Sequence, residues 1–351
     1  MGILSTSKIL VTGATGFVGT TLVPILLQQA DNYSLSLACR KDPSDLLSAI
    51  ADIGASDRVD GVFKLPLTEK TDWNEALEGC HAVVHLAARA HVMKETLPDP
   101  LGAYREINLE GTRRLAEQAA KKGVKRFIYL SSIKVNGEAT ELGKSYAPDD
   151  RPCPEDDYGR SKWEAEQALM SISLETGMQV LIVRPPLIYG PGVKANFLKL
   201  IEIVKKGYPL PLKAIHNQRS LLSVYNLVDF ILCCLRTELY QSQVFCISDG
   251  QDLSIADLLR KLAHALHKPS RLFYCPGWLL QGMAYLMGRK AFFQRLAGSL
   301  QIDNSKAETV LKWRPPMTME VALQKMFNEQ GCSYQAAKES EACVSHDQKR
   351  C

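Results

Sequence analysis

Short apolar runs alternate with amphipathic stretches over the first half of the chain, up to about Arg184. The runs are five to seven residues long, as in strands buried on both faces, and the stretches between them have helical periodicity. This alternation predicts repeated βα units around a parallel sheet. The predicted strands are Lys8–Thr12, Leu35–Cys39, Val59–Leu65, Ala82–Ala87, Phe127–Ser131 and Val180–Arg184.

Helical periodicity predicts a helix after the first strand, ending at about Gln29, and a single long helix over Leu101–Lys122, which Gly123 ends. The apolar stretch Trp278–Met287 is too short to cross a membrane and is typical of a core or interfacial helix. The other predicted helices are Tyr158–Thr176, Asn196–Lys206, Asn226–Arg236, Ile255–Leu266 and Met319–Asn328.

The alternation ends after Pro186, where glycines and prolines become frequent. We therefore predict an α/β fold, a Rossmann-type doubly wound parallel sheet with a smaller C-terminal α+β lobe. The sheet domain would span 1–185, with about 226–249 returning to it through the strand Val244–Ile247. The smaller lobe would comprise 186–225 and 250–330, and 331–351 is polar, aperiodic and predicted to be a disordered tail.

Composition narrows the class of protein. The 351 residues carry a formal net charge of +4, with Lys and Arg scattered among acidic residues, which argues against a nucleic-acid footprint. The ten cysteines contain no C-x-x-C pair, so we expect reduced thiols, a cytoplasmic location and no disulfides. His81 and His85 share one face of a strand, and we expect a satisfied pair there and no metal site. No apolar run predicts an integral membrane segment.

Residues 12–19 read TGATGFVG and lie between the first predicted strand and helix. Gly13 suits a tight turn, Gly16 the close approach of a pyrophosphate, and Gly19 the packing of helix on strand. The helix N-terminus offers free amides and a positive dipole end to phosphates. This context predicts a dinucleotide site that includes Gly13, Thr15, Gly16, Phe17, Val18 and Gly19.

Arg40 follows the second predicted strand, at the position where an acidic residue would bind a ribose 2′-hydroxyl. An arginine there can hold a 2′-phosphate, which favours NADP as the cofactor. Asp42 lies close by, so NAD stays possible.

Tyr158 and Lys162 lie one turn apart on a predicted helix. A lysine ammonium beside the phenol would favour the phenolate and make Tyr158 a better proton relay. Ser131 and Ser132 end the fifth predicted strand, at the sheet edge that lines the ligand crevice, where a serine hydroxyl can bond a substrate oxygen.

The glycine turn, the strand-end serine and the Tyr–Lys helix, in that order, resemble the extended short-chain dehydrogenases, which include sugar-nucleotide epimerases and dehydratases. The resemblance covers about Lys8 to Phe327. It implies that Ser132 is the catalytic serine, Tyr158 the acid/base, and Lys162 its partner and a ligand of the cofactor ribose. It also implies that the following residues lie beside the cofactor: Leu86, Ala87, Ala88 and Asn108.

Three stretches, LAARAHVM (86–93), LSSIKVNGE (130–138) and RPPLIYGPGVKANFLKL (184–200), resemble a narrower group that reduces UDP-linked 4-keto-6-deoxy-N-acetylhexosamines. By this resemblance Asn196 and Arg219 lie near the substrate diphosphate, and a guanidinium can pair bidentately with phosphate oxygens. The predicted substrate-binding residues are Ser131, Lys134, Asn196 and Arg219.

The resulting hypothesis is an NAD(P)H-dependent reductase of the C4 keto group of a UDP-2-acetamido-2,6-dideoxy-4-hexulose, serving surface polysaccharide synthesis. Two alternatives remain open. One is a UDP-sugar 4-epimerase that keeps NAD through oxidation and re-reduction, and the other is a dinucleotide-binding regulatory protein without catalysis. The resemblance also implies a possible homodimer through the helices at Leu101–Lys122 and Tyr158–Thr176.

Overall fold

Seven parallel strands form the central sheet of the computed structural model, which describes residues 7–29, 33–90, 97–286, 288 and 296–328. The strand order is β10-β7-β5-β4-β1-β2-β3. The strands are β1 Lys8–Thr12, β2 Ser34–Cys39, β3 Val59–Lys64, β4 Cys80–His85, β5 Arg126–Leu130, β7 Gln179–Arg184 and β10 Gln243–Cys246. The direction of chain growth reverses between β1 and β4, so the switch point of a doubly wound sheet lies at their carboxyl ends.

This sheet, with helices on both faces, confirms the predicted fold class. Each predicted strand is present within two residues of its expected bounds. The largest shift is in β4, which ends at His85 and leaves residues 86–88 in the segment beyond the sheet. There the chain passes the turn after β1, where a Cβ on Gly13 would lie 2.9 Å from the Ala87 nitrogen.

Apolar residues of the sheet and helices form a large core on each sheet face. The helix Ser44–Asp52 was not predicted from the sequence, and it packs Leu46 and Ile50 into one of these cores. The helices are α1 Gly19–Gln28, α2 Ser44–Asp52, α3 Pro100–Arg105, α4 Thr112–Lys121, α5 Asp157–Thr176, α6 Ala195–Lys206, α7 Val224–Arg236, α8 Ile255–Ala265 and α9 Gly277–Leu286, followed by Ser305–Leu311 and a helix over 319–328.

The long helix predicted over Leu101–Lys122 is interrupted, and a π-helical turn, Glu106–Gly111, joins α3 to α4. Two contacts explain the interruption. The Asn108 side chain is bonded to backbone across the site, and Gly111 packs so closely on Leu67 that a Cβ there would lie 2.7 Å from its side chain. Such π-turns are often found at functional sites.

Two short parallel pairs lie outside the main sheet and connect distant parts of the chain. β8 Leu187–Tyr189 pairs with β9 Leu221–Ser223, and β6 Ser145–Tyr146 pairs with β11 Gln301–Ile302. The second pair joins the segment after β5 to the C-terminal region. The division into two lobes with the predicted bounds stays a prediction, and the predicted tail 331–351 lies outside the described residues.

The apolar stretch near Trp278 forms α9, which lies on the surface. Trp278 is 75% exposed and Leu286 85%, whereas Leu280 is 9% exposed and contributes to the core. Of the two predicted possibilities, a core helix or an interfacial helix, the core helix is wrong for most of this segment. Among the described residues, we find no helix with the length and apolar character needed to span a bilayer.

Candidate functional site

The turn between β1 and α1 is built by close backbone packing. Gly13 has a φ of +70°, which an L side chain rarely adopts, and a Cβ on Gly19 would lie 2.3 Å from the Gly13 carbonyl oxygen. A Cβ on Gly16 would lie 3.0 Å from the same oxygen. No side chain caps the N-terminus of α1, and the Thr20 and Thr21 amides donate to the Gly16 and Val18 carbonyls, so this end offers an anion the positive end of the helix dipole. These residues fit the pyrophosphate of a dinucleotide.

A buried chain of hydrogen bonds supports this turn from the sheet side. Thr12 Oγ1 lies 2.6 Å from His85 Nδ1, and His85 Nε2 lies 2.9 Å from Thr112 Oγ1. Burial, reinforced by the charge of Lys162, lowers the pKa of His85 to about 3, so the imidazole is neutral at physiological pH. The Ala87 amide also donates to Thr12 Oγ1 at 3.3 Å, which holds the segment after β4 against the glycine turn.

Arg40 is exposed directly after β2, beside the glycine turn, where the Gly13 amide donates to the Ala38 carbonyl at 2.9 Å. Asp42 accepts hydrogen bonds from the amide and the hydroxyl of Ser44, at 3.1 and 2.7 Å. The carboxylate is thus engaged with the start of α2. Arg40 stays the predicted ligand of an adenine ribose 2′-substituent.

Asn108 lies in the π-helical turn and is buried. Its Oδ1 accepts from the Arg89 amide at 2.8 Å, and its Nδ2 donates to the Arg89 carbonyl at 3.1 Å and to Ser161 Oγ at 3.0 Å. Asn108 therefore links the segment after β4 to helix α5, which carries Tyr158 and Lys162. That Asn108 also lies beside the cofactor stays a prediction.

The two serines at the end of β5 have different environments. Ser131 is 3% exposed, its amide donates to the Val183 carbonyl at 2.7 Å, and its hydroxyl donates to Glu166 Oε1 at 2.5 Å. Ser132 begins a short 3₁₀ turn, Ile133–Val135, where its hydroxyl accepts from the Lys134 amide at 3.3 Å. The Ser131 hydroxyl is thus engaged with a buried carboxylate, and a substrate contact of Ser131 stays a prediction.

Tyr158 lies in the first turn of α5, which the Asp156 side chain caps by accepting from the Gly159 amide at 2.7 Å. Its ring packs edge-on against Tyr104, with the centroids 6.0 Å apart. Burial raises the pKa of Tyr158 above the ordinary value, helped by Asp156, while a hydrogen bond with Ser132 lowers it. Ser132 therefore lies near enough to the Tyr158 hydroxyl to affect its pKa.

Lys162 is 2% exposed, and its amine donates to the Leu130 carbonyl at 2.8 Å and lies 4.5 Å from the Tyr129 ring centroid. Burial lowers the pKa of Lys162 to about 7, opposed by the charge of Glu166. The sequence-based expectation that this ammonium lowers the pKa of Tyr158 is not met here. The physical reason is that desolvation disfavours the lysine charge itself and dominates the environment of both groups.

A buried ion pair lies one turn along α5 from Lys162. The Arg184 guanidinium donates to Glu166 Oε2 at 2.6 Å and to the Asn136 side-chain oxygen at 3.0 Å. Burial alone would lower the pKa of Arg184, but hydrogen bonds to Glu166 and its charge raise it. Because Glu166 also accepts from Ser131, this pair fixes the strand end from which Ser132 projects.

Of the three further predicted substrate residues, Lys134 and Arg219 lie near Glu138, whereas Asn196 lies in α6. Lys134 Nζ pairs with Glu138 Oε1 at 2.8 Å and also contacts Asp156, so it is tied to the cap of α5. Asn196 is exposed in the first turn of α6, after Ala195 with a φ of +55°. Arg219 donates to the Gly298 carbonyl at 2.9 Å, and burial lowers its pKa, partly opposed by Glu138. A substrate contact of all three stays a prediction.

Sequence reasoning missed the supporting roles of Thr12, Thr112, Glu166 and Arg184. A signal was present for two of them. Glu166 follows Lys162 by four residues on one helix face, and Arg184 ends an otherwise apolar buried strand. A charge in such a position requires a buried partner.

The comparisons with known proteins agree with this geometry. The model of the NAD dependent epimerase/dehydratase family matches residues 9–247. A UDP-glucose 4-epimerase of Vibrio cholerae is 46% identical over 318 residues, covering 89% of this chain and 92% of that protein. An N-acetyl-alpha-D-glucosaminyl-diphospho-ditrans,octacis-undecaprenol 4-epimerase of Escherichia coli O157:H7 is 28% identical over 283 residues, covering 79% and 78%.

Among solved structures, UDP-glucuronic acid 4-epimerase from Bacillus cereus in complex with NAD superimposes with a TM-score of 0.71. It is 20% identical and covers 92% of this chain and 97% of its own. A dTDP-glucose 4,6-dehydratase from Bacillus anthracis in complex with NAD gives a TM-score of 0.69, at 20% identity and 92% and 95% coverage. These likenesses support the fold.

The prediction of a 4-keto reductase acting on a UDP-2-acetamido-2,6-dideoxy-4-hexulose is wrong in the light of these findings. The Vibrio cholerae relative, matched over nearly its whole length, is a UDP-glucose 4-epimerase. The reductase hypothesis rested on three short stretches, whereas the likeness to the epimerase extends over 318 residues. On the family match and this relative, the chain belongs to the NAD dependent epimerase/dehydratase family.

Proposed function

We propose that this protein is a UDP-sugar 4-epimerase that retains NAD and interconverts UDP-glucose with its 4-epimer. The observation that carries the proposal is the 46% identity to a UDP-glucose 4-epimerase over 92% of that protein. Ser132 lies near Tyr158, Lys162 follows Tyr158 by one turn of α5, and these are the groups that such a reaction requires.

Epimerisation at C4 removes a proton from the 4-hydroxyl and a hydride from C4, and then returns the hydride to the opposite face. The dinucleotide, when bound, supplies the hydride acceptor and the positive charge of its oxidised ring. Tyr158 would take the hydroxyl proton and later return it. Because burial raises its pKa, Tyr158 needs a positive charge nearby to act as the base, and both a charged Lys162 and the oxidised ring would serve.

Ser132 would hydrogen-bond the same sugar oxygen and hold it against Tyr158. Ser132 follows a strand end that Glu166 and Arg184 hold in place, which would favour a preset position of its hydroxyl near Tyr158. Lys162 would also hold the cofactor ribose.

The substrate diphosphate would lie between α6 and the strand-like segment around Arg219. Arg219 is held by the Gly298 carbonyl and faces the charge of Glu138, so its guanidinium is oriented and only partly neutralised. Asn196 is exposed at the start of α6, where first-turn amides also point outward. Lys134 would lie beside the sugar. The homodimer implied for α3, α4 and α5 belongs to this proposal as well.

The cofactor in this proposal is NAD, because an epimerase that regenerates its coenzyme at each turnover needs no NADP pool. The positive charge of Arg40 would favour the 2′-phosphate of NADP. Titration of the protein with NAD and with NADP measures which coenzyme it prefers.

The decisive experiment incubates the purified protein with UDP-glucose and no added coenzyme, and follows the sugar signals by proton NMR. The proposal expects growth of the UDP-galactose signals to an equilibrium mixture, and release of NAD when the protein is denatured. Conversion that requires stoichiometric NADH or NADPH would contradict it. UDP-N-acetylglucosamine, run in parallel, shows whether the site also accepts a 2-acetamido group.

A further inference from the structure

The surface helix α9 exposes large apolar side chains that the proposed reaction does not use. Trp278 is 75% exposed, Tyr285 69%, Met283 51% and Leu286 85%. A helix of this kind is normally buried, because leaving so much apolar area in water is unfavourable. We therefore looked for what could cover it.

A neighbouring segment extends the exposed apolar area. The Phe273 amide donates to the Leu210 carbonyl at 3.0 Å, and the Leu210 amide donates to the Arg271 carbonyl at 2.9 Å, so the chain before α9 lies beside the chain after α6. Tyr208 is 57% exposed and Tyr274 69%. The two segments, 205–213 and 268–286, form one continuous apolar–basic surface.

The charges of this surface all have one sign. Its two segments contain five basic residues and no acidic ones, and all five are exposed. In the described part of the chain, none of the five forms a salt bridge, and Arg271 donates to the Gly207 carbonyl at 3.2 Å. The five are Lys205, Lys206, Lys213, Lys268 and Arg271.

Charge decides between the possible occupants. A second copy docked about a two-fold axis would bring five cations against the same five cations, which is unfavourable. An anionic phospholipid bilayer complements both parts of the surface, since Trp, Tyr and Leu enter the headgroup region while Lys and Arg attract the lipid charge. We propose that the apolar–basic surface docks the protein reversibly on an anionic lipid bilayer.

The geometry suits docking in the plane of the interface. α9 has ten residues and so is about 15 Å long, half of the roughly 30 Å thickness of a hydrocarbon core. Exposed residues Trp278, Tyr285 and Leu286 would enter the headgroup region while Leu280 keeps the helix attached to the core. The same surface begins at Lys205, near the end of α6, about two and a half turns from Asn196 at its start, so docking leaves the proposed nucleotide-sugar site away from the membrane.

The test is co-flotation of the full-length protein with vesicles of phosphatidylcholine alone and with about one third phosphatidylglycerol. The proposal expects binding to the anionic vesicles at least about tenfold stronger than to neutral ones, weakened by salt at about 0.5 M. The double variant Trp278→Glu with Leu286→Glu is expected to lose at least about tenfold of this binding. Its epimerase activity on UDP-glucose in the absence of vesicles should be unchanged.

Leu174→Glu is the matched control, because Leu174 on α5 is 87% exposed, about as much as Leu286, and lies outside the apolar–basic surface. It should bind vesicles like the unmodified protein. Equal binding of the double variant and the unmodified protein, or no binding of either to anionic vesicles, would overturn the proposal. The proposal would also be overturned if the unmodified protein formed a concentration-dependent dimer, the double variant did not, and neither bound vesicles. That result would assign the surface to a second copy. None of these outcomes depends on which sugar the protein epimerises.

Discussion

The two halves of the candidate site are built in different ways. The glycine turn after β1 is made of backbone, and its shape depends on the absence of side-chain volume at Gly13 and Gly19. The cluster after β5 is made of side chains, and Ser132, Tyr158 and Lys162 depend on buried charges and hydrogen bonds behind them. We expect the first half to be sensitive to added atoms and the second to altered charge, and five changes test that contrast.

Removing the Tyr158 hydroxyl should have the largest effect. Tyr158→Phe keeps the ring that packs against Tyr104 but deletes the proposed proton carrier, so epimerisation should fall by about 10²–10⁴-fold. Bound dinucleotide, measured after denaturation, should stay near its original amount. Tyr104→Phe is the control, since it keeps the ring beside Tyr158 and removes a hydroxyl that donates to the Ala90 carbonyl at 3.5 Å, and it should lose far less activity. Near-normal turnover of Tyr158→Phe would rule out the proposed chemistry.

Adding one methyl group to the turn should nearly match that effect. Gly19→Ala places a Cβ 2.3 Å from the Gly13 oxygen and 2.5 Å from the Ala14 oxygen, both of them backbone atoms that cannot move aside cheaply. The amount of dinucleotide retained by the purified protein should fall sharply, and the free energy of unfolding should fall by about 1–3 kcal/mol. Gly282→Ala is the control, because a Cβ there meets nothing within 4 Å. If Gly19→Ala kept its bound dinucleotide and its stability, the shape of the glycine turn would not depend on the absence of a side chain at Gly19.

Two carboxylates on α5 allow a direct test of buried against exposed charge. Glu166→Gln leaves Arg184 buried beside a neutral group, so the free energy of unfolding should fall by about 3–5 kcal/mol. Glu164 also pairs with an arginine, Arg105, but at the surface, and Glu164→Gln should cost at most about 1 kcal/mol. Chemical denaturation of both variants gives the comparison.

Glu166→Gln should also alter catalysis, since Glu166 positions the strand end that carries Ser132. We expect kcat to fall while KM changes little, because the substrate contacts proposed for Arg219 and Asn196 lie elsewhere. A fall in stability with an unchanged kcat would reduce Glu166 to a purely structural role.

Lys162 should give a pH-dependent effect on stability. Its folded pKa of about 7 is below the ordinary lysine value, so the folded state binds fewer protons between the two and stability rises with pH across that window. Lys162→Met should therefore stabilise the protein at pH 6 by about 1–2 kcal/mol, less than the pKa shift alone suggests, because the bond to the Leu130 carbonyl is lost. The advantage should shrink as pH rises towards 10. If the difference in the free energy of unfolding between the variant and the unmodified protein did not change with pH, burial would not lower the pKa of Lys162.

Arg40→Ala should have the smallest effect. Arg40 is exposed, and it would contribute one charged contact to a 2′-phosphate and little to NAD. Titration of stripped protein should show NADP affinity falling by about tenfold or less and NAD affinity unchanged. Equal changes in the affinities for NAD and NADP would contradict the prediction that Arg40 binds the 2′-phosphate of the adenine ribose.

The backbone-built half was predictable from the sequence because its signal is local. The spacing of Gly13, Gly16 and Gly19 after a strand reports the turn directly, and the six apolar runs located the strands within two residues. The supports of the other half were predictable only in part. The positions of Glu166 and Arg184 indicate charges that need buried partners, but that the two pair with each other follows only from the packing of α5 on the end of β7. The same limit applies to the π-turn, whose cause is contacts with Arg89 and Leu67.

Substrate identity was misjudged for a related reason. Motifs such as LSSIKVNGE describe the architecture around Ser132, which oxidation and reduction at C4 both use. They carry little information on whether the coenzyme leaves after one hydride transfer. Comparison over nearly the full length of a relative corrected this point.

The π-helical turn has a consequence for how this gene could tolerate insertions and deletions. A π-turn holds one more residue than the α-helix it interrupts, so deleting a single residue within Glu106–Gly111 would leave a regular helix and still permit folding of its flanks. The flanking helices α3 and α4 would keep nearly the same relative rotation, because the π-turn had absorbed the extra residue. Asn108 would nevertheless lose the local backbone geometry that places it against Arg89. We expect such a deletion to permit folding but to release the segment after β4 from α5, although the stretch looks like an ordinary helix in the sequence.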